Sequence, residues 1–374
     1  MDKPLAGLKV LELARILAGP WAGQLLADLG AEVVKVERPG VGDDTRHWGP
    51  PFAADGAAAY FHACNRGKAS VAIDLGTTGG QAAVRELATQ ADVLIENFKV
   101  GGLARYELDY ASLAPANPGL VYCSITGFGQ DGPYASRAGY DFIIQGMGGA
   151  MSLTGEPDGE PQKSGIAYAD LFTGLYATVA ILAALRERDR SGLGAHIDMA
   201  LLDTQVAVLG NQALNWMVSG KVPDRMGNGH ANLVPYQAFR VADGEVIVAV
   251  GNDRQFARLC EIVGLPELAE DERFRTNPAR VVHREALIPL LAESMAGRRK
   301  AEFSEALEAA GIPAGPINAV DAVFADPQMV HRGLRLAGEI PGLASPIVID
   351  GKRQTAPSGG PPLGGSGARL SGET

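Results

Sequence analysis

Lys9–Glu37, KVLELARILAGPWAGQLLADLGAEVVKVE, decides the fold. Lys9–Leu13 reads as a buried strand, Gly19–Gly30 as a turn and helix, and Glu32–Glu37 as the next strand. Two strands joined through a helix pair in parallel, because a crossover needs about a dozen residues and a hairpin only two. The pattern continues with a helix at Gln81–Gln90 and strands at Val93–Asn97 and Leu120–Thr126. Strands alternating with helices imply an α/β fold with a doubly wound parallel sheet. From Asp141 to Gly220 the chain reads as mostly helical. Near Pro235 the texture changes. Ala238–Val241 and Glu245–Val250 flank Asp243-Gly244 as an antiparallel hairpin, and helices follow at Asn252–Val263, His283–Met295 and Lys300–Ala310. The expected organisation is a large Rossmann-like domain over residues 1–220, completed by 330–374, and a smaller α+β domain over 221–329. Leu334–Glu339 and Pro346–Asp350 read as weak strands, and the Gly/Pro/Ser-rich tail from Pro357 as irregular surface chain.

The chain has 374 residues, 46% of them hydrophobic and 20% charged, which is enough to bury a sizeable core. The net charge of −10 argues against binding a nucleic-acid backbone. Cys64, Cys123 and Cys260 are far apart, and no signal peptide is evident, so a reducing, cytoplasmic setting is expected. The six histidines contain no H-x-x-x-H pair, so no metal site is expected. Leu171–Leu185 is interrupted by Thr173, Gly174, Tyr176 and Thr178, so no membrane span is expected.

Asp170 draws attention by its place. It ends the nearly chargeless stretch Gly165–Ala169 and opens an apolar helical run through Leu171, Leu175, Val179, Leu182 and Leu185. At or next to an N-cap, an aspartate can cap the helix. Alternatively the helix N-terminus can keep it ionised as a nucleophile. The turn Leu17–Gly23 lacks G-x-G-x-x-G, and Pro20 and Trp21 would hold a pyrophosphate off the backbone, so a dinucleotide reading is unsupported. Another nucleotide can still bind at the strand ends. Arg38 follows the second strand; Asn97 and Phe98 follow Val93–Asn97, with Arg105 beyond them. Two arginines with an amide and an aromatic suit an adenine and phosphates.

Together these segments resemble the class III CoA-transferase family. The resemblance rests on Val10–Gly30, Val34–Pro39, Asn65–Lys68 followed by Ser70–Leu75, Ile95–Phe98, Ser124–Tyr134, Gly139-Tyr140-Asp141, and Ala169-Asp170 with the helix after it. It covers Leu5 to about Leu334. Gly42–Phe52, Val234–Phe239, Gly251–Cys260, Gly315–Asn318 and Val323–Gly333 resemble the succinate–hydroxymethylglutarate branch, which moves CoA between dicarboxylic acids. The resemblance implies that Asp170 is the catalytic carboxylate. It also implies that Ile16, Ala18, Arg38, Ile73, Asn97, Arg105 and Tyr106 lie around CoA. It implies an interlocked homodimer, with coenzyme A or acyl-CoA as substrate and no tightly bound cofactor.

The chemistry so implied is exchange of a thioester for a carboxylate through a covalent aspartyl intermediate, with succinyl-CoA as the expected donor and a dicarboxylate as acceptor. Developing oxyanions need donors in a dry site. The loop Gly227-Asn228-Gly229-His230 is the expected source, through Gly227 and Gly229. A distal carboxylate suits an arginine fork. Arg46 is the first choice, beside His47 and Trp48, and Arg15 the second. The competing isomerase of the same superfamily, α-methylacyl-CoA racemase, uses a histidine where this chain has Tyr140. Tyrosine, with a pKa near ~10, is a poor base at neutral pH. A non-catalytic acyl-CoA-binding protein would gain nothing from a carboxylate beside an anionic ligand.

Overall fold

The computed structural model describes residues 3–366. Two compact units emerge. The first joins Met1–Ala150, Lys163–Gly210 and Asp326–Thr374; the second joins Met151–Gln162 and Asn211–Ala325. The second unit therefore starts at Asn211, earlier than residue 221, and also takes a short excursion at Met151–Gln162.

In the first unit six strands form one parallel sheet: β1 (Lys9–Glu12), β2 (Glu32–Glu37), β3 (Lys68–Ala72), β4 (Val93–Glu96), β5 (Val121–Thr126) and β6 (Ala195–Ala200). Their order is 3-2-1-4-5-6. The order reverses between β1 and β4, the place where open α/β sheets leave a crevice at their carboxyl ends. β3 and β6 lie at the sheet edges and are not evident from periodicity. β6 reads Ala-His-Ile-Asp-Met-Ala, and it interrupts the stretch expected to be helical.

Both faces of the sheet are covered, as a parallel sheet requires. Val10, Val33, Val93, Val121 and Cys123 pack on helices Ala18–Asp28 and Tyr168–Ser191 through Ala22, Leu26, Ala177 and Ile181. Leu11, Val34, Val71, Leu94 and Tyr122 face the other way, onto Val84, Leu87 and Ala88 of helix Thr78–Gln90. Helix Tyr168–Ser191 is, contrary to the sequence reading, long and apolar enough to cross a membrane by length and composition. One side of it, Ala169, Ala177, Ile181 and Leu185, belongs to the core.

The weak strands shrink to Arg335–Leu336 and Val348–Ile349. From Ala356 to Ser366 the tail is irregular but pinned by buried polar groups, and its last residues, 367–374, lie outside the described residues. Ala356 N–H donates to Asp28 (2.8 Å), Gly360 N–H to His62 Nδ1 (3.0 Å) and Gly364 N–H to Ser70 Oγ (3.1 Å).

In the second unit the expected hairpin is β7 (Tyr236–Val241) and β8 (Gly244–Ala249), extended by β9 (Ala314–Pro316). Its core gathers Val246, Val248, Phe256, Leu259, Leu287, Leu291, Phe303 and Leu307. Arg280 is fully buried there, held by the carbonyls of Val234 (2.7 Å) and Phe274 (2.8 Å) and by Asp253 (2.8 Å).

Candidate active site

A pocket of about 530 Å³ opens at the carboxyl ends of β1, β4 and β5. Arg15–Ala18 line it after β1, Asn97–Lys99 with Gly102 and Arg105 after β4, and Ile125 and Thr126 at the end of β5. Arg137–Tyr140, Asp170 and Leu201 complete it. The pocket thus sits at the switch point of the sheet.

Asp170 is in the first turn of helix Tyr168–Ser191, but the N-cap is Ala167, which has no side chain able to cap. The capping role expected for Asp170 is therefore absent. Its N–H donates to Asp141 Oδ1 (3.2 Å), and Gln145 Nε2 holds Asp141 Oδ2 (2.7 Å). Burial, then the Asp141 carboxylate, pushes the Asp170 pKa up to about 7. The ionising influence of the helix N-terminus is thus opposed by its surroundings. Desolvation and a like charge outweigh the helix dipole.

Two stacked constraints shape the β1 wall. Arg15 N–H donates to Asn97 Oδ1 (2.9 Å), and Asn97 Nδ2 donates to the Arg15 carbonyl (2.7 Å). The Asn97 amide is thus committed to backbone. Next, Ile16 adopts φ +71. A β-branched residue there is an outlier costing on the order of 1–3 kcal/mol. On the β4 side, Glu96 accepts the Phe98 N–H (2.7 Å), and burial raises its pKa to about 7. Opposite, Gly127 and Gly139 touch backbone to backbone: a Cβ on Gly139 would come within 2.4 Å of Gly127 Cα. That contact seats the segment carrying Arg137 and Tyr140.

Of the expected ligand residues, Ile16, Ala18, Asn97, Phe98, Arg105 and Tyr140 line the pocket together with Asp170 and Arg15. Arg38, Ile73 and Tyr106 do not. Arg38 is exposed after β2, 3.7 Å from Asp44. Ile73 and Tyr106 are half-buried against the core under β3 and β4.

Arg46, the first choice for the distal carboxylate, is not among the residues that line this pocket. It is buried, and its fork grips Glu37 through Nε (2.8 Å) and Nη2 (2.7 Å). Nη2 also donates to the Pro361 carbonyl (2.9 Å), and the guanidinium lies 3.7 Å from the Phe61 ring centre. Three of its five N–H donors are thus spent inside the fold, which favours a structural role over a substrate anchor. Burial alone would raise the Glu37 pKa, but the Arg46 fork and Ser70 hold it below the usual range. Gly227 and Gly229 belong to the second unit. Their N–H groups donate to the carbonyls of Gly155 (3.1 Å) and Met226 (2.9 Å), so in this arrangement neither is a free oxyanion donor. His230 Nδ1 accepts the N–H groups of Asn232 (3.0 Å) and Leu233 (3.2 Å), as in a self-bonded turn.

Sequence reasoning missed Lys99 and Arg137. Arg137 lies over Tyr134 (4.5 Å) and Phe128 (5.3 Å). The only signal was a basic residue two positions before Gly139-Tyr140-Asp141. With Arg15 and Arg105, these make four cations lining the pocket that also holds Asp170. That arrangement suits a polyanionic ligand brought to a nucleophile.

Comparison with known proteins agrees. CoA-transferase family III matches residues 5–366. A succinate–glutarate CoA-transferase of Agrobacterium fabrum is 56% identical over 92% of this chain and 89% of its own length. A human succinyl-CoA:glutarate CoA-transferase is 44% identical over 91% and 77%. The crystal structure of a CAIB/BAIF family protein from Brucella suis superposes with a TM-score of 0.87 at 57% identity, covering 98% of this chain and 97% of that one. With a family match over nearly its whole length and a carboxylate in a cation-lined pocket, this chain belongs to CoA-transferase family III and is an enzyme that transfers CoA.

Proposed function

We propose that the enzyme moves CoA from succinyl-CoA to a dicarboxylate of glutarate size, with Asp170 as covalent carrier. The observation that carries this is the position of Asp170 in the same pocket as Arg15, Lys99, Arg105 and Arg137. The names of the similar CoA-transferases supply the acids.

An Asp170 carboxylate oxygen attacks the succinyl-CoA carbonyl, giving a mixed anhydride and CoA thiolate. The thiolate attacks the Asp170 acyl carbon, giving an aspartyl-CoA thioester and releasing succinate. The acceptor carboxylate attacks that thioester, expelling thiolate and forming a second anhydride. Thiolate attack on the acceptor acyl carbon then yields the new acyl-CoA and restores the Asp170 carboxylate. The energy of the thioester is kept throughout, provided water is excluded. Arg105, Lys99 and Arg137 hold the CoA phosphates, with Arg38 reaching the outer end of the ligand. Arg15 takes the distal carboxylate in place of Arg46. Incubation with succinyl-CoA without acceptor, followed by intact mass measurement, should find CoA attached to Asp170. Its absence from a turning-over enzyme would refute the covalent route. Arg15→Ala should erase the preference for dicarboxylates over monocarboxylates of equal length.

The enzyme is proposed to act in the cytoplasm as a homodimer, interlocked as the family resemblance implies. Exposed Phe172, Leu175, Tyr176 and Val179 on the long helix, with Phe142, Ile143 and Met147 on helix Asp141–Met147 that touches it, support an apolar contact between copies. Light scattering at the monomer mass would refute the dimer.

A further inference from the structure

We infer that Asp43, held by Lys35, is a positioning residue that fixes Ile16 in its left-handed conformation and so sets the β1 wall of the pocket. Ile16 is not glycine, and nothing in its own side chain favours φ +71. Its backbone groups are clamped from both sides. The N–H lies 3.2 and 3.3 Å from the two Asp43 carboxylate oxygens, and the carbonyl accepts the buried Cys64 thiol at 3.5 Å.

Asp43 is itself immobile. It is 1% exposed and accepts both the Thr45 N–H (3.0 Å) and hydroxyl (2.8 Å). Lys35 Nζ lies 2.9 Å from its Oδ2. The ammonium spends its other two protons on Glu12 Oε1 (3.0 Å) and on the Ala14 carbonyl (2.7 Å). One buried cation therefore ties the end of β1, at Glu12 and Ala14, to the carboxylate that grips Ile16. Lys68 closes the array by pairing with Glu12 (2.8 Å). Gly23 makes room for it, since a Cβ there would fall 1.9 Å from Glu12 Oε2. A carboxylate that only balanced Lys35 would not need both oxygens within reach of the amide of the one strained residue in the pocket wall.

The consequence for catalysis rests on the reading that acyl-CoA enters this pocket. The test uses the full-length enzyme with Asp43→Ala, Ile16→Gly and the double variant. Asp43→Asn replaces Asp43→Ala if thermal melting shows that variant unfolded. Two readouts are taken: amide hydrogen exchange of the segment 13–18 without ligand, and kcat and KM for succinyl-CoA. Removing the Asp43 carboxylate should speed exchange at Ile16 and raise KM about tenfold, while kcat changes less than about threefold. In the Ile16→Gly background the added KM penalty should fall below about threefold, because glycine holds a positive φ without an anchor. An equal penalty in both backgrounds, or exchange that does not respond, would overturn the positioning role. Faster exchange with unchanged KM would uphold the role and instead refute this pocket as the acyl-CoA site.

Discussion

Two groups of charges lie on neighbouring strands of one sheet, and they differ in what they are for. Under the β1–β2 end, Glu12, Glu37 and Asp43 meet Lys35, Arg46 and Lys68, three acids against three bases, all buried. Across β1, β4 and β5, Arg15, Lys99, Arg105 and Arg137 line the pocket that holds Asp170, and among the described residues only Arg15 of these four cations has an ion-pair partner, Asp44 at 2.8 Å. A compensated buried array stabilises shape, whereas an uncompensated cationic rim waits for an anion. The sharpest way to break this contrast is at the carboxylate inside the rim. Asp170→Asn keeps the volume and removes the nucleophile, so turnover should fall by roughly 10⁴-fold or more while the fold persists. Retention of a tenth of wild-type activity in a clean preparation would end the covalent reading.

The next largest effect belongs to the compensated array. Arg46→Met leaves Glu37 buried beside Ser70 with no hydrogen-bonded cation and only the more distant Lys35 charge, which should cost about 3–5 kcal/mol of stability in chemical denaturation. The folded fraction should keep its ratio of dicarboxylate to monocarboxylate activity. A lost ratio at unchanged stability would return Arg46 to the substrate. The uncompensated rim should respond in the opposite way. Arg105→Ala or Arg137→Ala each remove charge-assisted bonds, raising KM for acyl-CoA about 10–100-fold with little change in melting temperature. If both variants melted early and bound normally, the two groups of charges would not differ in kind.

The contrast also explains what could be read from the sequence. The parallel strands β1, β2, β4 and β5 each carry apolar residues, chiefly Val, Leu and Ile, and turns mark their ends, so Arg15 and Asn97 fall just past strand ends, with Arg105 further on. β3 and β6 lack that signature. β6 alternates Ala-His-Ile-Asp-Met-Ala at a sheet edge and looks like polar linker. Arg46 and Arg137 could not be told apart, because a single arginine shows no sign of its partner. Glu37 is nine residues from Arg46 and on another element. Asp170 was visible from its helix, but its raised pKa was not. Its causes are burial and, second, Asp141, which lies 29 residues away, and both arise only on folding.

That pKa gives the smallest effect and the most direct check on the pocket's dryness. Asp170 titrates at about 7 when folded, against a usual value of 3.8. A carboxylate with a raised folded pKa binds more protons in the native state than in the unfolded one, so stability falls as pH rises through this window, from about 4 to about 7. The full shift would be worth roughly 4 kcal/mol, and partial solvent access reduces it to about 1–2 kcal/mol. Asp170→Asn removes the titration. It should therefore be more stable than wild type at pH 8, and the difference should shrink towards zero near pH 4. In the wild-type enzyme the same ionisation should make kcat/KM fall about tenfold per unit below pH 7, since only the carboxylate attacks. A wild-type rate flat from pH 5 to 8, together with an Asp170→Asn variant that gains nothing at pH 8, would mean that water reaches Asp170 freely. Exclusion of water during turnover would then have to come from the bound acyl-CoA itself.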